Sequence, residues 1–133
     1  MPLTSITDTR RLIHLEFPTI QESTKTRLFF EHELRKHLFA PTIVLTEFIE
    51  GAGTKIGKEA AKNRLRALKE KGLEIVELGE KQALIAGELL LTHHNVPITD
   101  ALVASYVKSG DAEYVLTDDP HYKMLNVKTK WIT

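Results

Sequence analysis

Acidic residues lie at the ends of apolar segments, or inside them, in widely separated parts of this chain. They are Asp8, Glu47, Asp100, Asp118 and Asp119. Asp8 and the Asp118-Asp119 pair each follow a strand-like run, and Asp100 opens a helical segment that is apolar nearly all round. Carboxylates fit poorly in apolar surroundings unless something pairs with them. A shared partner for these acids is therefore expected.

A divalent cation is the partner that such a set of acids would need. Carboxylate oxygens are the ligands of hard ions such as Mg²⁺ and Mn²⁺, with water filling the remaining positions. A bound ion orients an attacking water, lowers its pKa and stabilises charge on phosphate oxygens. Without a cation, the acids would repel and raise one another's pKa. If the acids converge, the sequence predicts a metal site that cleaves phosphodiester bonds.

Each acid also has an ordinary structural explanation. Asp8 is placed to cap the helix that follows its strand. Asp100 follows a candidate cap at Thr99 and would complement the helix dipole. Asp118 and Asp119 precede a proline, where turns are common, and Glu47 would point to solvent. Taken one at a time these explanations are the stronger ones, so only the set as a whole favours a metal site.

The composition is that of one ordinary globular domain. The 133 residues carry 18 basic and 18 acidic side chains, which gives a formal net charge of zero. This balance argues against binding of nucleic acid through a broad basic surface, although not against a nuclease with an acidic site. Cysteine is absent, which excludes disulfides and thiolate metal sites. With no membrane-length apolar run and no signal-peptide core, we expect a cytoplasmic protein.

The elements that must position the acids alternate between strands and helices. We predict strands at 3–7, 73–78, 114–116 and 128–132, and helices at 9–16, from about 24 to 38, and at 42–50, 59–71, 80–93 and 99–108. A break at 51–53 opens a flexible connection that reaches residue 58. Such alternation predicts an α/β fold, a single domain over residues 1–133 built as a three-layer α/β/α sandwich around a mainly parallel sheet. Sites in these sheets lie beyond the carboxyl ends of the strands, where Asp8 and the Asp118-Asp119 pair are placed.

Four motifs in order resemble those of a known family. They are Ser5-Ile6-Thr7-Asp8-Thr9, Leu45-Thr46-Glu47-Phe48, Ile98-Thr99-Asp100-Ala101-Leu102-Val103-Ala104 and Val115-Leu116-Thr117-Asp118-Asp119-Pro120-His121-Tyr122. Over essentially its whole length the chain resembles a PIN domain, the family of metal-dependent ribonucleases that includes the VapC-type toxins of prokaryotic toxin–antitoxin pairs.

The resemblance implies a set of metal-binding and catalytic acids: Asp8, Glu47, Asp100 and Asp119, with Asp118 as the alternative fourth acid. It implies Mg²⁺ or Mn²⁺ as the cofactor, RNA as the substrate, a small antitoxin as a partner, and a homodimer. Thr9 and Thr117 are expected as hydroxyls that support the acids. We also assign Thr9, Arg10, Arg11 and Thr117 as candidate substrate contacts.

Two features depart from the family pattern. Arg10 and Arg11 follow the first Asp-Thr pair, where a small polar residue is common, so that an arginine there either holds a substrate phosphate or crowds the site. His121 stands where many relatives have another acid. These departures keep two alternatives open. One is a catalytically inactive PIN-like module for RNA processing or assembly, and the other is a PIN nuclease outside any toxin system.

Overall fold

The computed structural model describes residues 4–17 and 24–131. Over these residues the chain forms, in order, β1 Ser5–Thr7, α1 Thr9–Glu16, α2 Thr24–His37, β2 Leu38–Pro41, α3 Thr42–Ile56, α4 Lys58–Glu70, β3 Glu74–Val76, α5 Glu80–Thr92, α6 Ile98–Lys108, β4 Tyr114–Leu116, α7 His121–Met124 and β5 Thr129–Lys130. Residues 3 and 132, at the ends of two predicted strands, lie outside the described residues. None of the helices in the described ranges is both long and apolar enough to cross a bilayer.

The strand β1 lies in the middle of a parallel sheet, whose order in the described part of the chain is β3-β2-β1-β4-β5. The chain builds the sheet to one side of β1 through β2 and β3, and then to the other side through β4 and β5. The order therefore reverses between β1 and β4, which is where open α/β sheets form their sites. The register pairs Thr7 with Leu116, so the residues that follow these strands emerge side by side. The predicted three-layer sandwich with a parallel sheet is confirmed.

The helix α6 is buried along most of its length, as its apolar sequence predicts. Its residues from Ala101 to Tyr106 are all buried, and the Tyr106 ring meets Phe39 of β2 edge-on at 5.3 Å between centroids. Burial of one large apolar side chain contributes about 1.5–3 kcal/mol. This packing fixes the start of α6, and hence Asp100, against the sheet.

The strand β2 was missed by the sequence prediction, which continued the preceding helix through Leu38. In the structure α2 ends at His37, and the four residues of β2 are all buried. The residues Phe30, Leu34 and Leu38 keep a helical spacing across this boundary. Because a short apolar run fits a buried strand as well as a buried helix, periodicity alone misassigned it.

The predicted break at 51–53 and the flexible connection that follows it were wrong. The helix α3 runs without interruption from Thr42 to Ile56 and ends at Gly57, whose φ is +92°. Gly51 lies against α1, where a Cβ would stand 3.0 Å from Ile13 Cδ1. Its small size lets α1 and α3 approach each other. The predicted end of the next helix, at residue 71, is confirmed: α4 ends at Glu70, and Gly72 has a φ of +122°.

Candidate metal centre

Asp8 caps α1 and at the same time faces the acidic site. Its Oδ1 accepts a hydrogen bond from the Arg11 backbone N–H at 3.0 Å, and its Oδ2 accepts one from the Thr117 hydroxyl at 2.7 Å. Only 4% of the residue is exposed. Burial raises the pKa of Asp8 to about 6, although the hydrogen bonds from Thr117 and Arg11 oppose this shift. Asp8 therefore caps α1 and lines the site from the same position, so the two explanations are compatible.

Glu47 is held by two threonine hydroxyls from two other helices. Thr9, the first residue of α1, donates to Glu47 Oε1 at 2.5 Å, and Thr99 of α6 donates to Glu47 Oε2 at 2.9 Å. Glu47 thus links α3 to the start of α1 and of α6 rather than pointing freely to solvent. The helix α6 begins at Ile98 with Pro97 as its N-cap residue. Thr99 is therefore not the cap that the sequence predicted but a support for Glu47.

A third group of side chains lies between the start of α6 and the end of β4. His121 Nδ1 is 2.8 Å from Asp100 Oδ2 and 3.2 Å from Asp119 Oδ1. The backbone N–H of His121 also donates to Asp119 Oδ1, at 2.9 Å. In the part of the chain that the structure describes, these residues form a group whose ligand atoms all lie within 4.8 Å of one another. The sequence singled out His121 only as a departure from an acidic pattern.

The Thr117 hydroxyl joins Asp8 to the turn that carries Asp119. While donating to Asp8, it accepts the Asp119 backbone N–H at 3.1 Å. This bond orients Asp119 toward the site, whereas the neighbouring Asp118 lies 3.6 Å from the Arg11 Nε. Of the two acids, Asp119 lines the cavity that Asp8, Glu47 and Asp100 also line, and Asp118 does not.

The four predicted acids line one open cavity of about 410 Å³, together with an arginine and a histidine: Asp8, Glu47, Asp100, Asp119, Arg10 and His121. Arg10 is exposed at this cavity. Arg11 and Thr117, also expected to contact substrate, are only 4% and 1% exposed. The Arg11 guanidinium lies 4.5 Å from the centre of the Trp131 ring. The side chains of Arg11 and Thr117 therefore contact the protein itself.

Negative charge accumulates in this cavity. Burial raises the pKa of Asp100, a hydrogen bond from His121 opposes the rise, and the charges of Asp119 and Glu47 add to it. The charge of Asp100 in turn raises the pKa of Asp8. Carboxylate oxygens and an imidazole nitrogen are donors for a divalent cation. The residues present thus fit such an ion, and its charge would relieve the repulsion between them.

Comparison with known proteins gives a match over most of the chain. A family model described as the PIN domain matches residues 7–128, whereas no curated protein matches the sequence. Among solved structures, the chain is similar to VapBC2 from Rickettsia felis bound to a promoter DNA fragment, with a TM-score of 0.76 at 20% identity over 97% of this chain and 98% of that one.

Two further structures have the same fold. DNA-bound VapBC from Salmonella typhimurium gives a TM-score of 0.75 at 17% identity, over 97% of this chain and 98% of that chain. Mycobacterium tuberculosis VapC20, described as a sarcin-ricin loop cleaving toxin, gives 0.72 at 15% identity, over 92% of this chain and 95% of that chain. At these identities the likeness shows the fold.

Proposed function

The chain belongs to the PIN domain family, and on this basis we propose that it is an endoribonuclease that uses Mg²⁺ or Mn²⁺ to hydrolyse RNA phosphodiester bonds. The observation that carries the proposal is the convergence of four acids on one cavity at the carboxyl ends of β1 and β4: Asp8, Glu47, Asp100 and Asp119. Acids that repel one another are stabilised by a cation, and such a cation serves phosphodiester hydrolysis.

The acids and the hydroxyls of the site have different roles. The acids would hold an ion, and the hydroxyls orient the acids. Asp8, Asp100 and Asp119 would hold the ion, which when bound activates water and stabilises charge on the phosphate. Thr117 fixes the orientation of the Asp8 carboxylate, while Thr9 and Thr99 fix that of Glu47. These bonds preorganise the acids before substrate arrives.

Arg10 is the residue that would bind the substrate. It is exposed, lines the acidic cavity and carries a guanidinium, whose planar donors match the oxygens of a phosphate. One cationic side chain at the rim of an acidic site agrees with a chain of zero net charge. Arg10 would thus hold an RNA phosphate against the metal-binding acids.

We further propose that the chain is the toxin of a VapBC-type pair, that it forms a homodimer and that a small antitoxin covers its acidic cavity. The toxin and antitoxin roles are supported by the structural neighbours of the chain, which are VapBC complexes and a toxin. Induction of the chain in a bacterial host should stop growth, and Asp100→Asn should restore it. Unimpaired growth on induction of the wild type would favour a nuclease outside any toxin system.

RNA cleavage by the purified chain tests the enzymatic proposal. We expect cleavage with Mn²⁺ or Mg²⁺ and none with EDTA. Asp100→Asn should reduce the rate by about 100-fold or more, because the ion lowers the barrier by several kcal/mol. Asp111→Asn is the matched control, since Asp111 lies outside the acidic cavity and pairs with Ser109, Lys81 and Gln82. Equal cleavage by Asp100→Asn and the wild type would overturn the proposal. The absence of Mn²⁺ binding in calorimetry would favour an inactive binding module.

A further inference from the structure

We propose that His121 binds the metal ion directly through Nδ1, and that this nitrogen makes the site favour Mn²⁺ over Mg²⁺. The inference rests on the proposed function, since it takes the acidic cavity to be a metal site. It goes further by assigning a nitrogen ligand to a site otherwise built from carboxylates, and by choosing between two ions that the acids alone do not distinguish.

The donor atoms of His121, Asp100 and Asp119 lie close together. His121 Nδ1 lies 2.8 Å from Asp100 Oδ2 and 3.2 Å from Asp119 Oδ1. Two adjacent ligands of an octahedral ion, each about 2.1 Å from the metal, are about 3 Å apart. The two measured distances lie on either side of this value. His121 Nδ1 is thus spaced from each carboxylate oxygen as one ligand is from its neighbour around an ion, and the ligand atoms of all three residues lie within 4.8 Å of one another.

The protein also holds His121 in place from both sides. Its backbone N–H is bonded to Asp119 Oδ1 at 2.9 Å. The next residue, Tyr122, is fully buried, and its hydroxyl lies 3.5 Å from Asp100 Oδ1. The backbone of His121 and the side chain of Tyr122 therefore contact the same two acids that the His121 ring contacts. A ligand whose backbone is fixed in this way loses little freedom when it binds an ion.

The types of ligand in this group determine which ion the site favours. Mg²⁺ prefers oxygen ligands, retains several waters and demands nearly ideal geometry. Imidazole nitrogen binds first-row transition metals rather than Mg²⁺, and Mn²⁺ is the transition metal of this series that also suits carboxylate oxygen. A site of carboxylates and one imidazole therefore gains more from Mn²⁺ than a site of carboxylates alone. The side chain of His121 is 39% exposed, so the ring reaches the solvent from which an ion would enter.

The test uses the intact chain loaded with Mn²⁺ in the absence of RNA. Pulsed electron paramagnetic resonance detects the coupling between Mn²⁺ and a directly bound ¹⁴N nucleus. His121→Asn is the informative variant, because its amide oxygen replaces Nδ1 at the same distance along the side chain. His32→Gln is the matched control, since His32 is exposed on α2 and does not line the acidic cavity. Calorimetry on each protein gives the affinities for Mn²⁺ and Mg²⁺, and thermal melting confirms that each is folded.

We expect a ¹⁴N coupling in the wild type and in His32→Gln, and its loss in His121→Asn, which should still bind Mn²⁺. The ratio of Mn²⁺ to Mg²⁺ affinity should fall by about tenfold in His121→Asn. Bound Mn²⁺ without a ¹⁴N coupling, or a coupling that survives in His121→Asn, would overturn the assignment. Either result would leave the nuclease proposal intact, whereas a wild type that binds no Mn²⁺ would contradict both.

Discussion

The Thr117 hydroxyl donates a hydrogen bond to Asp8 Oδ2 at 2.7 Å, although 109 positions separate the two residues in sequence. The parallel pairing of β1 with β4 brings them together, because each residue directly follows its strand. The same hydroxyl accepts the Asp119 backbone N–H at 3.1 Å. One threonine thus fixes two acids of the cavity, and its removal should disturb both.

Replacement of Thr117 by valine should destabilise the protein and raise the pKa of Asp8. Valine keeps the shape of the side chain but leaves the buried Asp8 carboxylate without this donor, at a cost of about 1–3 kcal/mol. The hydrogen bond lowers the pKa of Asp8, which burial raises to about 6, so its loss should move that pKa higher. Denaturant unfolding and a carboxyl-carbon NMR titration measure the two effects. Thr92→Val, at an exposed position of α5, is the control, and an unchanged pKa of Asp8 in Thr117→Val would contradict this account.

The contribution of Asp8 to the stability of the metal-free protein should fall as the pH rises from about 4 to about 6. Burial raises the pKa of Asp8 from 3.8 to about 6 in the folded state. Below this range Asp8 is protonated in both states, and within it only the unfolded chain releases the proton. A shift of about two units lowers the free energy of unfolding by about 3 kcal/mol once the pH exceeds the folded-state pKa.

Asp8→Asn isolates this effect from other titrating groups. Asparagine also caps helices well, but it does not ionise. In EDTA, the variant should be more stable than the wild type at pH 7.5 and no more stable at pH 4, as measured by denaturant unfolding at both values. An equal difference at the two pH values would mean that Asp8 has an ordinary pKa.

Replacement of Glu33 by glutamine should lower stability without changing metal binding. Glu33 is fully buried. It accepts hydrogen bonds from the Tyr114 hydroxyl at 2.5 Å and from Lys130 at 3.2 Å. Burial alone would raise the pKa of Glu33, but these donors outweigh it and lower the pKa. Glutamine loses the charge that Lys130 pairs with, so we expect a loss of about 1–3 kcal/mol in unfolding free energy.

Tyr114→Phe is the companion to Glu33→Gln. It removes one of these bonds and should cost about 1 kcal/mol. Calorimetry with Mn²⁺ should give wild-type affinity for both variants, because neither residue lines the acidic cavity. A variant with normal stability and weakened metal binding would show that this buried cluster serves the site rather than the fold.

Two glycine-to-alanine substitutions should change stability in opposite directions. Gly53 lies inside α3, and a Cβ there would meet no atom within 4 Å. Gly53→Ala should therefore stabilise the protein by about 0.5–1 kcal/mol. At Gly72 the φ is +122° and a Cβ would lie 3.1 Å from the Leu34 carbonyl oxygen, so Gly72→Ala should cost about 1–3 kcal/mol. Denaturant unfolding of both variants measures the two changes in stability. A destabilised Gly53→Ala would mean that the helix is interrupted where the sequence suggested a break.

The placement of Asp8 and Asp100 follows from sequence because Asp8 directly follows a short strand and Asp100 lies in the first turn of a strongly apolar helix. Parallel strands direct their carboxyl ends to one edge of the sheet, and α6 is apolar enough to require a buried position. The fold class was therefore predictable from the alternation of elements. The boundary between α2 and β2 was not, since Leu38 continues a helical spacing and no glycine or proline separates the two elements.

The resemblance implied the choice of Asp119 over Asp118 and Thr9 as a supporting hydroxyl, but the contacts behind that choice and behind the support of Glu47 could not be predicted from the residues alone. The choice depends on a turn in which the Thr117 side chain accepts the Asp119 N–H. The support of Glu47 depends on Thr9 and Thr99, which reach it from helices distant in sequence. Contacts of this kind are set by tertiary packing rather than by local propensity. Arg11 was expected to contact the substrate, and its burial is likewise set by tertiary packing.

A crystal of the chain soaked in Mn²⁺ and measured at the manganese absorption edge tests the central claim most directly. The claim is that acids from distant parts of the chain share one cation beyond the ends of β1 and β4. We predict an anomalous difference peak in contact with the carboxylates of Asp100 and Asp119, and its loss in Asp100→Asn. A fully soaked crystal with no peak in this cavity, or with a peak only elsewhere, would contradict the claim.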